Sequence, residues 1–369
     1  MRIVLNTHVD DAASRVCIVR LAASLTARGI DASVNDWSNY DAYDVAVFMA
    51  YDAELDEARR QNPGIKVVLA DPKQSSPEAL DLARRADLLL VSSVEQRDVF
   101  LRLNRNALIH YMFPPLIAVE PRQHDEERAT VVAYHGNRVH LEAMRDSVAP
   151  ALALLSRRRD VELLAIYNIA ALGKAHLDIP GVRVTHMQWT EDFVDHLARA
   201  DIGIAPNELP LRNRDDALEL TAYADGELMY EPFDHLVRFK ASANPGRLYP
   251  FAVAGLPVVS DFVPSAAQFI FDGESGLLAS SAHGWFEALE KLADSPTLRT
   301  KLASALYARL ASAYDAQVDA FLEACAREPL PPVDLVSGAS PEEQLARLDR
   351  YERPRGRLWR RVVAALRKS

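Results

Sequence analysis

The stretch RFKASANPGRLYPFAVAGLPVVSD, residues 238–261, is the most informative part of the sequence. Polar and basic residues gather at the start of a helix whose apolar continuation ends at Gly255, and a buried strand follows at once. A helix that runs directly into a buried strand is part of a βαβ unit, so this stretch predicts an α/β domain. Its cationic side chains lie beside the N–H groups of a helix N-terminus, where anions bind.

Short apolar runs alternate with segments of helical periodicity along the rest of the chain, which is typical of parallel sheets. In the first half this alternation predicts helices at Arg15–Ala27, Ala53–Arg60 and Val94–Leu103, with strands at Ile3–Leu5, Val45–Phe48, Val67–Leu69, Leu88–Val91 and Ala107–Tyr111. In the second half it predicts a long helix at Met144–Leu155 and strands at Thr130–Tyr134, Leu163–Tyr167, Val182–Thr185, Ile202–Ala205, Pro257–Ser260 and Gly276–Leu278. We therefore expect an α/β fold of two Rossmann-like domains that face each other across a cleft.

The chain has 369 residues, enough for two domains of about 150 residues each. A polar run after two consecutive prolines predicts a hinge at 119–128. The hinge separates an N-terminal domain, 1–118, from a C-terminal domain, 129–330. Ligands of such sheets bind beyond the carboxyl ends of the strands, so we expect the function to lie at the two facing edges.

The segment 331–369 is predicted to be a basic amphipathic helical tail, because residues 347–369 carry nine Lys or Arg against two acids and an apolar stripe. Such a helix either lies on the inner face of an anionic membrane or packs across the two domains, and both interpretations stay open.

The composition excludes several classes of protein. With 49% hydrophobic and 25% charged residues the chain is typical of globular proteins, and its net charge of −10 argues against a general affinity for nucleic acid. Cys17 and Cys325 are the only cysteines, which excludes a disulfide framework and favours a reducing, cytoplasmic compartment. No signal peptide and no apolar run of about 18 residues is visible, so any membrane contact is expected to be peripheral.

The loop and helix around Lys240 are the first candidate site. Lys240 and Arg247 are expected to make charge-assisted hydrogen bonds to a diphosphate. Ser242 and Asn244 lie between them in the same loop, and Asn207 lies just beyond the predicted strand Ile202–Ala205. We assign all five residues to the binding of an anionic ligand.

A second candidate is the segment Tyr-His-Gly-Asn-Arg that ends at Arg138. Gly136 lets the backbone approach a ligand closely, Asn137 follows it, and Arg138 opens the next helix. A plain strand-to-helix turn would explain this segment equally well. Together with the Lys240 loop, it favours one site built from both segments.

The second half resembles the retaining GT-B glycosyltransferases of the "glycosyl transferases group 1" family. The run Ala-Gly-Leu-Pro-Val-Val at 254–259 is similar to the family's entry into its strand, and residues 269–278 are similar to its Asp-Gly-x-x-Gly-Leu-Leu segment. Trp285 through Leu292 and the pair Leu298-Arg299 resemble its ending, so the resemblance extends from about Val131 to Tyr314.

This resemblance implies transfer of a sugar, as by a hexosyltransferase of glycan biosynthesis, from a nucleotide diphosphate sugar to a glycan, lipid or small-molecule acceptor. It implies no further cofactor, a donor site in the second domain, an acceptor over the first, and a phosphate contact at Arg138. The family places two glutamates with seven residues between them where this chain has Ser242 and Pro250. The chain therefore resembles a divergent branch with Lys240 and Asn244 in this loop.

In the first domain, His8 and Asp10 follow the first predicted strand and are our candidates for proton transfer on the acceptor side. A structural histidine and helix capping by Asp11 or Ser14 are the alternatives. Lys73 and Arg97 follow later strands and are candidates for the acceptor side. The serines near them, at 75, 76 and 93, are predicted to cap helices.

We expect no obligatory metal, because no Asp-x-Asp motif at a strand end and no His/Cys/Asp cluster with ligand spacing is present. Two alternatives to sugar transfer remain. The first is a catalytically degenerate GT-B protein that binds a nucleotide or a glycan, favoured by the missing glutamates. The second is a nucleotide-sugar 2-epimerase, which needs a set of proton-transferring groups that the sequence does not offer.

Overall fold

The structure, a computed structural model, describes residues 1–73, 77–101, 103–113, 122–124, 130–207 and 245–331, and four two-residue strands between 222 and 240. The predicted tail, apart from residue 331, and most of the predicted hinge lie outside these residues. Within them, no helix is both long and apolar enough to cross a bilayer.

The first domain is a parallel six-stranded sheet in the order β2-β1-β3-β4-β5-β6. Its strands are β1 Arg2–Asn6, β2 Asp31–Val34, β3 Val45–Met49, β4 Lys66–Ala70, β5 Leu88–Val91 and β6 Ala107–Ile109. Helix α1 consists of Ala12–Ser14, a π-helical stretch Arg15–Arg20 and Leu21–Ala27, and it is followed by α2 Leu55–Gln61, α3 Pro77–Arg85 and α4 Val94–Leu101.

The second domain contains a parallel sheet in the order β16-β15-β10-β7-β8-β9. Its strands are β7 Thr130–His135, β8 Val161–Tyr167, β9 Val182–Gln188, β10 Ile202–Ala205, β15 Val258–Ser260 and β16 Leu277–Leu278. Two short hairpins lie between β10 and β15: β11 Ala222–Tyr223 with β12 Glu227–Leu228, and β13 Phe233–Asp234 with β14 Phe239–Lys240.

The helices of the second domain are mostly short, except for the last two. They are α5 Arg138–Ala143, α6 Val148–Leu155, α7 Ile169–Leu172, α8 Phe193–Leu197, α9 Leu248–Val253, α10 Pro264–Ala267, α11 Ala282–Asp294 and α12 Pro296–Ala326. Single 3₁₀ turns at Met144–Asp146 and Pro245–Arg247 precede α6 and α9.

The predicted pair of Rossmann-like domains is confirmed, and so are the predicted strands. The predicted continuous helix at Met144–Leu155 is wrong, because the chain leaves helical geometry at Ser147 and divides into a 3₁₀ turn and α6. Strand β2 was not predicted. It lies at the edge of its sheet, is partly exposed and has the sequence Asp-Ala-Ser-Val, which carries no apolar run.

The long helix α12 returns from the second domain to the first. Tyr111 donates its backbone N–H to the side-chain oxygen of Gln317 on α12 at 2.8 Å, and Ser24 on α1 is hydrogen-bonded to Tyr314. Side chains of both sheets and of α12 form one hydrophobic cluster. The two domains are therefore packed together beside the cleft, and Cys17 and Cys325 lie buried in this cluster as free thiols.

Candidate functional site

Two contacts fix how the sheet edges face each other. Arg15, which follows β1, pairs with Glu191, which follows β9. Ser265 on α10, after β15, donates its backbone N–H to the Glu95 carboxylate on α4, after β5, at 2.8 Å. These two contacts bring the β1 and β5 side of the first sheet against the β9 and β15 side of the second, and from the two strand orders we infer that the end of β4 faces β7 and β10.

The ends of β7 and β10 meet at Arg247, the residue that precedes α9. Gly136 has a φ of +139°, and a Cβ there would lie 3.0 Å from Cδ of Arg247. The Arg247 guanidinium donates to the carbonyl of Pro206 at 2.8 Å and to the Asn207 side chain. Gly136, Asn207 and Arg247, which we predicted to act together, are thus brought together.

The buried carboxylate of Asp261 holds Asn207 of this cluster in place. Asp261, directly after β15, accepts the backbone N–H of Asn207 at 2.6 Å and the indole N–H of Trp285 at 3.2 Å. Both Asp261 and Trp285 are fully enclosed by the protein. Neither was predicted to belong to the site, although a carboxylate directly after a buried strand is a signal that could have pointed to Asp261.

His135, the last residue of β7, was also missed. Its Nε2 lies 2.8 Å from the carbonyl oxygen of Arg247, and its ring contacts Phe193 and Phe251. Burial lowers the pKa of His135 to about 4, so the ring is neutral at pH 7. Because a carbonyl only accepts hydrogen bonds, Nε2 carries the proton. Burial also lowers the pKa of the Arg247 guanidinium from its ordinary value.

Asn137 and Arg138 have structural partners of their own. The Asn137 side chain accepts the N–H of Val139 and thereby caps α5. Arg138 donates to Glu142 at 2.8 Å and to the carbonyl of Leu172. Both residues lie beside Gly136, but the Arg138 guanidinium is turned to these two acceptors, so the expected phosphate contact stays a prediction.

The remaining predicted donor residues are described in part or not at all. Lys240 lies in β14, which pairs with β13, but its side chain is outside the described residues, as are Ser242 and Asn244. Helix α9 and the turn at Gly255, which has a φ of +67°, follow this segment where they were expected. Pro250 lies buried within α9.

The loops after β1 and β3 carry exposed and acidic side chains. His8 is 56% exposed, stacks on Trp37 with ring centroids 3.7 Å apart and lies 3.8 Å from the Glu54 carboxylate. Asp10 is paired with Arg15 at 2.6 Å, and the hydrogen bond from Arg15 lowers the pKa of its carboxyl. The alternative role of Asp11 is confirmed: its carboxylate accepts the N–H of Ser14 at 2.7 Å and caps α1.

The loop after β4 carries Lys73, whose ammonium lies 2.6 Å from the Asp71 carboxylate. Burial raises the pKa of Asp71, and the charge of Lys73 opposes this effect. Arg97 is exposed on α4. The predicted cap at Ser93 is confirmed, since its hydroxyl accepts the N–H of Gln96 at 3.1 Å, whereas the serines at 75 and 76 lie outside the described residues.

In the part of the chain that the structure describes, no group of three or more His, Cys, Asp or Glu side chains is arranged to hold a metal ion. The carboxylates at the first sheet edge are instead bound by protein groups, as Asp52 shows by accepting both the Thr7 hydroxyl and the His8 N–H.

Two Rossmann-like sheets with their strand ends opposed across a cleft define the GT-B class of fold, and solved structures share this fold with the chain. HepE of Anabaena, crystallised with UDP, is 14% identical with a TM-score of 0.53, over 88% of this chain and 100% of HepE. Sucrose-phosphate synthase of Thermosynechococcus elongatus is 13% identical with a TM-score of 0.52, over 87% and 97%.

The lipopolysaccharide outer core galactosyltransferase WaaB is 12% identical with a TM-score of 0.55, over 88% of this chain and 99% of WaaB. At these identities the likeness shows the fold alone. No protein-family model matches the sequence, and no curated protein matches it.

Proposed function

We propose that this protein is a glycosyltransferase that moves a sugar from a nucleotide diphosphate sugar to a hydroxyl group of a glycan, lipid or small-molecule acceptor in the cytoplasm. One observation carries the proposal. A buried network of Asp261, Asn207 and Arg247 lies at the strand ends of the second domain, and the first domain presents a solvated edge opposite to it. A rigid polar site can hold the donor in one fixed position. An open surface opposite to it leaves space for the acceptor.

The structural neighbours add support at the level of the fold. HepE has been solved with UDP and with UDP-glucose, and WaaB is a galactosyltransferase. A nucleotide diphosphate sugar in this chain would place its diphosphate near Arg247 and Gly136, where the absence of a Cβ leaves room for the Arg247 side chain.

In the proposed mechanism no metal ion neutralises the leaving diphosphate. Arg247 and Lys240 hold the two phosphates, Asn244 orients them, and domain closure excludes water. The departing phosphate oxygen takes the proton of the acceptor hydroxyl as the new glycosidic bond forms. Retention of the anomeric configuration is proposed from the family resemblance.

A second candidate function is binding of the nucleotide or glycan without turnover. Pro250 favours it, because a proline buried within α9 supplies no carboxylate where the resembled family has one of its two glutamates. Transfer and binding without turnover predict the same nucleotide affinity and differ only in the release of nucleoside diphosphate.

The test is a thermal-shift screen of the wild-type protein against UDP, GDP, ADP, TDP, CMP and their sugar donors. Stabilisation grows as RT ln(1 + [L]/Kd), so ligand at about 100 times Kd adds about 2.7 kcal/mol. We expect a shift selective for one nucleoside diphosphate, reduced in Lys240→Ala and Arg247→Ala and kept in Lys301→Ala, which alters an exposed lysine of α12.

Two further outcomes are decisive. Absence of a shift with every nucleotide would overturn the proposal. Where a shift is found, slow release of nucleoside diphosphate from the matching sugar donor supports transfer, whereas binding without release supports the non-catalytic function. Interconversion of two nucleotide sugars without an acceptor would instead reveal a 2-epimerase.

A further inference from the structure

The loop after β4 is built to hold one ammonium group in place. Asp71 is 5% exposed and has a φ of +51°, a left-handed conformation that non-glycine residues adopt rarely. Its backbone N–H donates to Leu90 at 3.0 Å, and the Gln96 side chain donates to the Pro72 carbonyl at 2.9 Å. Strain of this kind persists where the surroundings determine the backbone, and it is concentrated at functional sites.

Lys73 is the charged group that this loop presents. Its Nζ donates to Asp71 Oδ2 at 2.6 Å, and its side chain remains 43% exposed. An ammonium has three N–H donors, so the ion pair leaves capacity for further acceptors.

The end of β4 lies opposite the ends of β7 and β10. The contacts of Arg15 with Glu191 and of Glu95 with Ser265 fix this alignment of the two sheets. Lys73 is therefore on the part of the first domain that faces the Arg247 cluster, and the loops after β1 and β3 beside it carry mainly carboxylates.

The two arginines of the proposed donor site, Arg247 and Arg138, already donate hydrogen bonds to groups of the protein. Arg247 donates to Pro206 and Asn207, and Arg138 donates to Glu142 and Leu172. A leaving diphosphate carries several negative charges, and charge-assisted hydrogen bonds are the strong way to stabilise it. A cation on the facing edge of the first domain would help to meet this requirement.

We propose that Lys73, positioned by Asp71, contacts the terminal phosphate of the bound nucleoside diphosphate from across the cleft. The inference rests on the proposed function and adds to it a contact from the first domain to the donor. The phosphate would then add a further contact between two sheet edges that Arg15–Glu191 and Ser265–Glu95 already join.

The experiment compares the nucleoside diphosphate that stabilises the wild type most with its monophosphate, by calorimetric titration. Lys73→Met removes the charge and keeps the length of the side chain. We expect diphosphate affinity to fall about ten-fold, the effect of losing one charge-assisted hydrogen bond, while monophosphate affinity changes less than about two-fold. Lys301→Met is the matched control and is expected to leave both affinities unchanged.

Two further variants test the positioning role. Lys73→Arg keeps the charge and is expected to retain most of the diphosphate preference. Asp71→Asn removes the ionic partner but preserves the loop, because Asn tolerates a left-handed φ, and we expect diphosphate affinity to fall about three-fold. These variants carry the test if Lys73→Met does not fold.

The outcomes separate the two proposals. If the wild type binds a nucleoside diphosphate and Lys73→Met keeps the wild-type ratio of diphosphate to monophosphate affinity, the Lys73 contact is refuted and the proposed function stands. If the wild type binds none of the nucleotides, the proposed function itself is overturned.

Discussion

A histidine stands near the carboxyl end of the first strand in each domain, and the two lie in opposite surroundings. His8, after β1, is 56% exposed and stacks on Trp37 at the solvated edge of the first domain. His135, at the end of β7, is 6% exposed and fixed to the Arg247 carbonyl. The same strand-end position therefore serves an open surface in one domain and a buried polar network in the other.

This difference extends to the neighbouring loops. On the first domain, Asp10 and Glu54 reach solvent, whereas on the second domain Asp261 is enclosed and bound on both oxygens. A buried network is costly to form unless every group is satisfied, but once formed it holds its donors in fixed directions. We infer that the second domain is preorganised and that the first can adapt to what it binds.

The greatest change that we expect is in the pH dependence of the unfolding free energy, which tests whether His135 is buried as a neutral ring. Its pKa is about 4 in the folded protein against 6.5 ordinarily, so the unfolded chain binds more protons between these values. Stability is therefore lost as the pH falls from about 6.5 to 4, by about 3 kcal/mol for this group. His135→Gln should flatten the pH dependence of the unfolding free energy measured with urea at pH 7.5, 6.0 and 5.0.

His8→Gln is the control for this change. His135 is unchanged in this variant, so the loss of stability towards low pH that comes from its burial should persist. His110 and His124 remain in both variants, and burial also lowers their pKa values to about 4. Part of the dependence of the unfolding free energy on pH therefore persists in both. If the unfolding free energy of His135→Gln depends on pH as strongly as that of the wild type, His135 is not buried as a neutral ring, and the contrast with the exposed His8 is refuted.

The second prediction concerns the close approach at Gly136. An added Cβ would lie 3.0 Å from Arg247 Cδ and 3.1 Å from the Tyr134 hydroxyl, at a φ of +139°. We expect Gly136→Ala to lower the unfolding free energy by about 2 kcal/mol and to weaken nucleotide binding. Denaturation in urea measures the first effect and thermal shift the second.

Gly29→Ala separates backbone strain from crowding. Gly29 also has a positive φ, +77°, but a Cβ there would meet nothing within 4 Å. The Gly29→Ala substitution should lower the unfolding free energy by about 1 kcal/mol and leave nucleotide binding intact. If both variants behave alike, the packing of Gly136 against Arg247 contributes nothing to the site.

The sequence was sufficient to predict the buried strands of both sheets, because fully buried parallel strands are continuous apolar runs, as Val45–Met49 illustrates, whereas the partly exposed edge strand β2 was missed. It also assigned Gly136, Asn207 and Arg247 to one donor site, because ligands of such sheets bind beyond the strand ends. The hydrogen bond from Trp285 to Asp261 and that from Arg138 to the Leu172 carbonyl could not be predicted. Both depend on the packing of helices and loops that no local pattern encodes.

The smallest change that we expect comes from breaking one of the two contacts that join the sheet edges. Arg15 is exposed and pairs with Asp10 on its own loop and with Glu191 on the opposite domain. Arg15→Ala should leave the unfolding free energy almost unchanged, because exposed ion pairs contribute little. It should raise the radius of gyration of the nucleotide-free protein above the roughly 21 Å of a compact chain of this length, as measured by small-angle scattering.

Arg85→Ala is the matched control, since Arg85 pairs with Asp56 and Asp81 inside the first domain and its loss should leave the radius unchanged. Equal radii for Arg15→Ala and the wild type would mean that the packing of α12 and the Ser265–Glu95 contact are enough to set the distance between the edges. A larger radius that a nucleoside diphosphate restores would mean that the ligand replaces the lost contact. The strand-end edge of the first domain would then be held near the donor site by two charged residues in turn. Arg15 would do so before the nucleotide binds and Lys73 afterwards.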